Sequence, residues 1–293
     1  MRPTKLILLL AGWGLCFAQT SASAQRNRDE YKEEYKEHIS KQYVVKPGSA
    51  VAIYNLEGSV KVEGYSGDKV EIEIDETIKA RDNAELERGK KEFKLAFEQK
   101  GDSLISYTSA PYDTRPHYNR WNEHEERRYY DVRLEYTVKV PHNVNLIATT
   151  VNSGNVDVKD VTGSLKINNV NGAISIANAK GTTDAHTING NLTVTYLSVP
   201  PDASNYYTLN GKLEVTYPAN LSANLQFKSM NGQFYTDFDN TEFLPTQVEM
   251  THNKGNGSTT YKLNKNTPVK VGAGGKLFKF ETLNGNIYIK KQS

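Results

Sequence analysis

The stretch VTGSLKINNVNGAISIANAKGTTDAHTINGNLTV, residues 161–194, contains a short pattern that returns at regular intervals. Each copy has an apolar residue, a spacer, a glycine, a second spacer and an apolar–polar–apolar run, as in Val170-Asn-Gly-Ala-Ile-Ser-Ile. The alternation after the glycine is typical of a half-buried strand, and the glycine before it is typical of a turn. This part of the chain is therefore predicted to repeat one short strand and one tight turn.

The same pattern occurs on both sides of this stretch. The glycines at 154, 163, 172, 181 and 190 follow one another at intervals of nine residues, whereas the Asn-Gly glycines at 172, 190, 211 and 232 are 18, 21 and 21 residues apart. Asn-Gly therefore marks every second turn, and one structural unit is predicted to contain two strands and two turns. The predicted turn residues are Gly58, Asn152, Gly154, Gly163, Asn171, Gly172, Asn189, Gly190, Asn210, Gly211, Asn231, Gly232, Asn284 and Gly285.

Asparagine and glycine suit sharp turns, because both tolerate a positive φ. We therefore expect positive φ angles at the Asn-Gly turns, with the asparagine side chains satisfying nearby backbone groups. Alternate residues of each strand would point inwards, and successive units would bury one another's apolar faces. The predicted fold is all-β, a repetitive β-solenoid or β-roll of short strands. Constant coil length favours it over the alternative, an antiparallel hairpin meander or sandwich.

The first 24 residues have the character of a secretory signal peptide. Arg2 and Lys5 accompany an apolar run over residues 6–17, and small residues up to Ala24 follow it. The run is short for a membrane-spanning helix, so we expect cleavage after Ala24 rather than an N-terminal membrane anchor. The protein is thus predicted to be exported, to the periplasm or the cell surface. Its one cysteine, Cys16, lies in the segment removed, so we expect neither disulfides nor thiolate metal sites.

The chain is predicted to have four segments. They are the signal peptide (1–24), a charged, solvated leader (25–44), an N-terminal β region (45–141) and the repetitive solenoid region (142–293). Within the N-terminal β region, residues 83–91 have helical character and residues 93–104 read as a hairpin that turns at Gly101. Residues 110–128, rich in proline, charge and aromatic side chains, are predicted to be a long surface loop.

The charge balance argues against nucleic-acid binding. The full chain carries 36 Lys and Arg against 34 Asp and Glu. Loss of the signal peptide would remove two basic residues, Arg2 and Lys5, and leave a net charge near zero. A nucleic-acid-binding protein needs a clustered basic excess. No run after the signal peptide is apolar enough to cross a bilayer, so no transmembrane segment is expected in the mature chain.

No catalytic or metal-binding motif is recognised, so we predict neither an enzyme activity nor a cofactor. His117 and His124 share a loop with two glutamates, but a solvated loop of mixed charge is a simpler interpretation than a surface metal site. The aspartates near the turns, Asp157, Asp160 and Asp184, lack the Gly-Gly-x-Gly-x-Asp repeat of calcium-binding rolls. An acidic pair repeated on neighbouring coils, which a polysaccharide-cleaving solenoid would need, is also missing from the sequence.

The loop insert at 110–128 is the candidate interaction site. Exposed Tyr and Trp side chains give a large contact area at low entropic cost. The same rings would alternatively cover a flank of the sheet. The candidate interaction patch consists of Tyr112, Tyr118, Trp121, Tyr129 and Tyr130.

Residues 45–64 follow the pattern V-x-P-G-x-x-V-x-I-x-N-x-x-G-x-V-x-V-x-G. Together with the signal peptide and the later N-G-x-h-x-h copies, where h is an apolar residue, this pattern resembles the DUF4097 family, whose members carry the provisional name of bacterial adhesins. The resemblance covers about residues 42–290 and implies a surface or envelope protein of β-solenoid type, without established catalytic residues. The insert at 110–128 departs from the family pattern.

These features predict an exported cell-envelope or surface β-repeat protein that acts as a non-catalytic, adhesin-like binding module. Its expected partner is an unidentified envelope protein or a glycan. The alternative is a signalling or regulatory component of the envelope-stress response. A polysaccharide-acting enzyme is the third and least favoured hypothesis.

Overall fold

The computed structural model describes residues 31–116, 127–245, 248–252, 259–263 and 266–292. The predicted signal peptide and residues 117–126 of the predicted loop lie outside the described residues. The described chain is almost entirely β-structure, which confirms the all-β prediction. Within these ranges, no helix is long and apolar enough to cross a membrane.

The elements follow one another in three groups. The N-terminal group is β1 (Glu33–Val44), β2 (Ala50–Tyr54), β3 (Val60–Tyr65), β4 (Lys69–Ala80), α1 (Asn83–Glu92), β5 (Lys94–Lys100), β6 (Ser103–Ala110) and β7 (Tyr130–Pro141). The repetitive group is β8 (Asn145–Thr149), β9 (Val156–Lys159), β10 (Leu165–Asn168), β11 (Ile174–Ala179), β12 (Thr183–Asn189), β13 (Leu192–Tyr196), β14 (Ser204–Asn210) and β15 (Leu213–Tyr217). The C-terminal group is β16 (Ala223–Asn231), β17 (Phe234–Thr236), β18 (Thr241–Phe243), β19 (Val248–His252), β20 (Thr259–Leu263), β21 (Thr267–Val271), β22 (Leu277–Asn284) and β23 (Ile287–Lys291).

Successive strands of the repetitive group alternate between two sheets. Sheet A contains β9, β11, β13 and β15, and sheet B contains β8, β10, β12 and β14, so each coil contributes one strand to each sheet. Neighbouring coils pair in parallel: Ile174 of β11 is aligned with Val156 of β9 and with Leu192 of β13. A hairpin meander would pair consecutive strands antiparallel. The observed pairing is that of stacked coils, the favoured of the two predicted architectures.

The last coil of the chain does not lie at the end of the stack. Strands β22 and β23 are inserted between the coil of β14 and β15 and the coil of β16 and β17. Phe280 of β22, for example, is aligned with Tyr206 of β14 on one side and with Phe227 of β16 on the other. The order of coils in space therefore differs from their order in the sequence, which the spacing of the repeat does not reveal.

Antiparallel strands continue sheet A at the N-terminal end of the stack. Residues 33–44, expected to belong to a solvated leader, instead form β1, which pairs with β4 along its whole length. The segment is largely exposed, as expected of a solvated leader, but the expectation that it lacks a regular place in the fold was wrong. Tyr35, Ile39 and Tyr43, which are four residues apart on one side of the strand, pack against buried apolar clusters.

The predicted helix and hairpin are both present. Helix α1 is capped by Asp82, whose side chain accepts a hydrogen bond of 3.0 Å from the Glu85 amide. The antiparallel hairpin of β5 and β6 turns at Gly101, where φ is 56°. Strand β2 pairs with β8 and β3 pairs with β9. The two predicted β regions therefore contribute strands to the same two sheets.

The core between the sheets becomes aromatic towards the C-terminal coils. Tyr196 stacks on Tyr217 with ring centroids 5.1 Å apart, and Tyr206 stacks on Phe280 at 5.0 Å. The three buried tyrosine hydroxyls form a chain in which Tyr217 and Tyr206 are 3.0 Å apart and Tyr206 and Tyr196 are 2.7 Å apart. Tyr196 then donates to the Thr183 hydroxyl at 2.6 Å. Each hydroxyl thus has a partner, as buried polar groups require.

Candidate functional site

The glycine of each Asn-Gly turn packs against the glycine of the neighbouring coil. A Cβ atom added to Gly190 would overlap the carbonyl oxygen of Gly172, and one added to Gly211 would overlap that of Gly190. The expectation of positive φ at the Asn-Gly turns is wrong, because among the predicted turn glycines only Gly58 has a positive φ, of 108°. Glycine is required here for close approach of one backbone to the next. The stacked glycines are Gly58, Gly154, Gly172, Gly190, Gly211, Gly285 and Gly232 in spatial order.

The asparagines of these turns form a continuous ladder of side-chain hydrogen bonds. The Nδ2 of Asn171 donates to the Oδ1 of Asn152 at 2.9 Å, and Asn189 donates to Asn171 at 2.8 Å. Asn210 repeats the bond to Asn189 at 2.8 Å. Beyond it, the inserted last coil continues the ladder through Asn284, which donates to Asn210, and through Asn231, which donates to Asn284, both at 2.7 Å. All of these side chains are exposed.

The asparagines were expected to satisfy backbone groups, but a second set of side chains does so. The hydroxyls of Thr187 and Thr208 donate to the carbonyl oxygens of Gly172 and Gly190 at 2.9 and 2.8 Å. These threonines are buried behind the turn. With the glycine carbonyls already bonded from inside, the asparagine amides are left to bond one another on the outside. Other residues in the same role are Thr150, Asn169 and Ser229.

An apolar stripe runs alongside the asparagine ladder. The residue before each ladder asparagine is apolar, and it points outwards because the residue before it, such as Thr187, points into the core. Ile188 and Met230 are 38% and 64% exposed. The stripe consists of Val151, Val170, Ile188, Leu209, Leu283 and Met230. We call the six asparagines and these six apolar residues the ladder face.

Two rings border the ladder face on the outer surface of sheet B. His186 of β12 is aligned with Tyr207 of β14, and their ring centroids are 5.7 Å apart. The His186 Nε2 lies 2.8 Å from the Asp184 carboxylate. The face therefore combines uncharged amides, aliphatic groups and rings. On the next coils the row of His186 and Tyr207 continues with Glu281 and Lys228, which form an ion pair.

The predicted aromatic patch is only partly brought to the surface. Tyr130 is 5% exposed, packs with Ile78 and Leu86 of the small core cluster, and donates to Glu92 at 2.7 Å. Its assignment to an exposed patch is therefore wrong. Tyr129 and Tyr112 are partly buried, with guanidinium groups over their rings. The remaining members, Tyr118 and Trp121, lie outside the described residues and stay predictions.

The titratable groups flagged in the sequence have ordinary structural contacts where they are described. Asp160 accepts a hydrogen bond of 2.7 Å from Asn178, one coil away, and both residues adopt a left-handed backbone conformation. Across residues 31–116, 127–245 and 266–292, no three His, Cys, Asp or Glu side chains come together as a metal site would need. His117 and His124 lie outside the described residues.

No family model and no curated protein matches this chain. Among solved structures, it is similar to a protein of Clostridium sporogenes provisionally named a cell adhesion protein, at 11% identity and a TM-score of 0.38 over 87% of this chain and 100% of that one. It is also similar to a protein of Bacteroides fragilis provisionally named an adhesin, at 11% identity and a TM-score of 0.32 over 87% of this chain and 97% of that one. A third similar structure, from Parabacteroides merdae and also provisionally named an adhesin, has 6% identity and a TM-score of 0.28 over 88% of this chain and 97% of that one. Likeness at this level carries no conclusion about the function of this chain.

Proposed function

We propose that this protein is exported to the cell envelope and acts there as a non-catalytic, adhesin-like binding module whose ladder face holds an extended, uncharged glycan. The observation that carries the proposal is the ladder face itself, in which six exposed amides run beside an apolar stripe whose members are partly or largely exposed. The signal-like first 24 residues and the sequence resemblance to the DUF4097 family support export.

The amides of the ladder keep binding capacity after bonding one another. An Asn side chain has two N–H donors and an oxygen with two lone pairs. An internal member such as Asn189 uses one N–H on Asn171 and one lone pair on Asn210, so one donor and one acceptor remain for a ligand. Because neighbouring coils are about 4.8 Å apart, the same pair of groups recurs at that interval along the stack.

A glycan matches this surface chemically. Its hydroxyl groups donate and accept hydrogen bonds, and the C–H groups on its rings pack on aliphatic and aromatic side chains. The stripe and the rings of His186 and Tyr207 supply such side chains next to the amides. The ladder residues carry no charge, so the face suits a neutral chain better than a polyanion, whose binding requires clustered basic side chains.

The binding test removes the most exposed members of the stripe. The double variant Ile188→Ser/Met230→Ser leaves the ladder hydrogen bonds and the core in place. Affinity electrophoresis through gels containing β-glucan, mannan or dextran should retard the wild-type protein in at least one gel, and the double variant should lose that retardation. Leu197→Ser, which shortens an apolar side chain 48% exposed outside the ladder face, should keep it. Equal mobility with and without every polysaccharide, or equal retardation of all three proteins, would refute the glycan site.

Export is tested independently of binding. Protein expressed from the full sequence and recovered from the envelope fraction should begin at Gln25 when its N-terminus is sequenced, because signal peptidase cuts after small residues. Recovery of the chain in the cytosol with its N-terminal 24 residues intact would contradict export and leave the binding result untouched.

A further inference from the structure

A cavity opens at the N-terminal end of the molecule, away from the ladder face. It lies between the inner side of β1 and β4 and the segment that joins α1 to β5, and its volume is 280 Å³. Tyr35 and Ile39 of β1 and Phe93 after α1 form apolar parts of its wall. The cavity is slightly smaller than the pockets that hold drug-sized ligands, which measure about 300–1,000 Å³, so it suits a small molecule or a single chemical group.

A carboxylate without a partner lines this cavity. Glu76 of β4 is 6% exposed, and its strand neighbours on the same side, Ile74 and Ile78, are fully buried. Within the described ranges its side chain has no hydrogen bond or ion pair; the charged group that acts on it most directly is Glu37. A buried carboxylate of this kind is costly unless it is paired, and Glu76 interrupts the apolar inward row of β4 without a bonding partner.

The surroundings of Glu76 favour a positive ligand. Glu37 is aligned directly with Glu76 on the neighbouring strand, and like charges in this position repel. On the opposite wall, Lys90 is already paired with Glu87 at 2.8 Å and lies over the Tyr35 ring. Lys94 also lines the cavity, but its side chain is exposed at the rim. Glu37 is also exposed at the rim, and it accepts a hydrogen bond of 3.0 Å from the Tyr35 hydroxyl. The inner part of the cavity therefore presents one unpaired carboxylate, Glu76, next to aromatic side chains, a combination that suits an organic cation.

We propose that this cavity is a binding site for a small organic cation, a primary ammonium group on a short aliphatic chain, with Glu76 as its counter-ion. The ammonium group would donate hydrogen bonds to Glu76 and Glu37, and the aliphatic chain would lie against Ile39 and Phe93. Binding would supply the partner that the buried carboxylate lacks. The site is separate from the ladder face and does not depend on the proposed glycan.

The test uses n-butylammonium chloride as the probe and sodium butyrate, which has the opposite charge, as the comparison. Calorimetric titration of the wild-type protein at pH 8 should give one site with a dissociation constant of millimolar order for the ammonium ion and no binding of butyrate. Glu76→Gln should abolish binding. Glu71→Gln, which neutralises a partly exposed carboxylate on the outer side of the same strand, should retain it. The melting temperature of each variant shows whether it is folded.

The dependence on pH provides a second readout. Burial, together with Glu37, raises the pKa of Glu76 to about 7. The charged groups that face it are Glu37 of β1, Lys90 of α1 and Lys94 of β5. Tyr136 of β7 is neutral between pH 6 and pH 8, because burial raises the pKa of its hydroxyl. Because the ionised fraction of Glu76 grows from about one eleventh to about ten elevenths between pH 6 and pH 8, the affinity should rise about tenfold. Binding that is equal at both pH values, binding of butyrate in preference, or unchanged binding to a folded Glu76→Gln variant would overturn the proposal.

Discussion

The α-carbon of Gly190 lies so close to the carbonyl oxygen of Gly172 that a single added methyl group would overlap it. This contact repeats from coil to coil and sets how tightly the turns stack. It also brings Asn189 within hydrogen-bonding distance of Asn171. The glycine of the Asn-Gly pair therefore acts on its neighbour in space, and the asparagine ladder depends on the short separation that the glycine allows.

Gly190→Ala should destabilise the protein even though alanine tolerates the φ angle at this position. The added Cβ meets backbone rather than a flexible side chain, so the coils must separate, and overpacking of this kind costs about 1–3 kcal/mol or more. Chemical denaturation monitored by circular dichroism measures the loss. Gly101→Ala is the control, because a Cβ added at Gly101 would meet nothing within 4 Å. Only its left-handed backbone conformation, with φ of 56°, opposes the substitution, and this costs about 1 kcal/mol. A Gly190→Ala variant no less stable than Gly101→Ala would contradict the close-approach explanation.

Asn189→Asp should weaken the ladder in the middle. An ionised carboxylate can accept from Asn210 but cannot donate to Asn171, whose oxygen would then face a negative charge. The loss of a hydrogen bond with an acceptor left opposed costs about 1–3 kcal/mol, and the loss should shrink at low pH, where a protonated aspartate can donate. Thermal unfolding at pH 4 and pH 7 tests this. Asn220→Asp, an exposed position in the turn between β15 and β16, should show no such difference between the two pH values.

The buried tyrosines predict an asymmetric pair of variants. Tyr206→Phe should be the more damaging, because it leaves the Tyr217 hydroxyl buried without its partner, at a cost of about 1–3 kcal/mol. Tyr217→Phe removes the end of the chain, and Tyr206 still has Tyr196, so the cost should stay near 1 kcal/mol. Urea denaturation compares the two. Equal stabilities would show that the hydroxyl chain contributes less than the aromatic packing, which both substitutions retain.

Glu76 predicts that stability falls as the pH rises towards neutrality. Its pKa is about 7 in the folded protein against 4.5 for an ordinary glutamate, so between these values the folded state binds more protons than the unfolded chain, and the free energy of unfolding decreases with pH. The full effect is up to about 3 kcal/mol and is complete above pH 7. The difference in stability between Glu76→Gln and the wild type should therefore grow from pH 4 to pH 8. A difference that stays constant across this range would rule out the raised pKa.

The sequence predicts the stack well and its outer surface poorly. Glycines at intervals of nine residues and the alternation after each, as in Ile174-Ser-Ile, define strand length, turn position and inward side chains. The asparagine of an Asn-Gly pair, by contrast, is equally compatible with a hairpin turn, a corner bonded to the backbone or a ladder. Only the parallel alignment of Asn189 with Asn210 distinguishes these, and that alignment depends on residues far apart in the chain.

Two other features escape sequence reasoning for physical reasons. The apolar residue before each asparagine, such as Ile188, looks like a core residue by composition, and only the end of the strand shows that it points outwards. Glu76 has the polarity of a surface residue in an alternating strand, yet it belongs to the inward set with Ile74 and Ile78. Its spacing of two residues from each isoleucine predicts an inward position and its charge predicts an outward one, so the two signals conflict.

The position of β22 and β23 inside the stack has a consequence for how the molecule is assembled. Strand β16 pairs with β21 and β22, and β17 pairs with β23, so every sheet partner of residues 223–236 is made after them. A chain that is synthesised or translocated from its N-terminus can build its coils in order only as far as Tyr217. Residues 223–236 must then wait for β21, β22 and β23, which begin at Thr267. A ribosome or translocon that releases the chain before these strands are made leaves a half-built end with unpaired strand edges, the kind of surface on which chains associate wrongly.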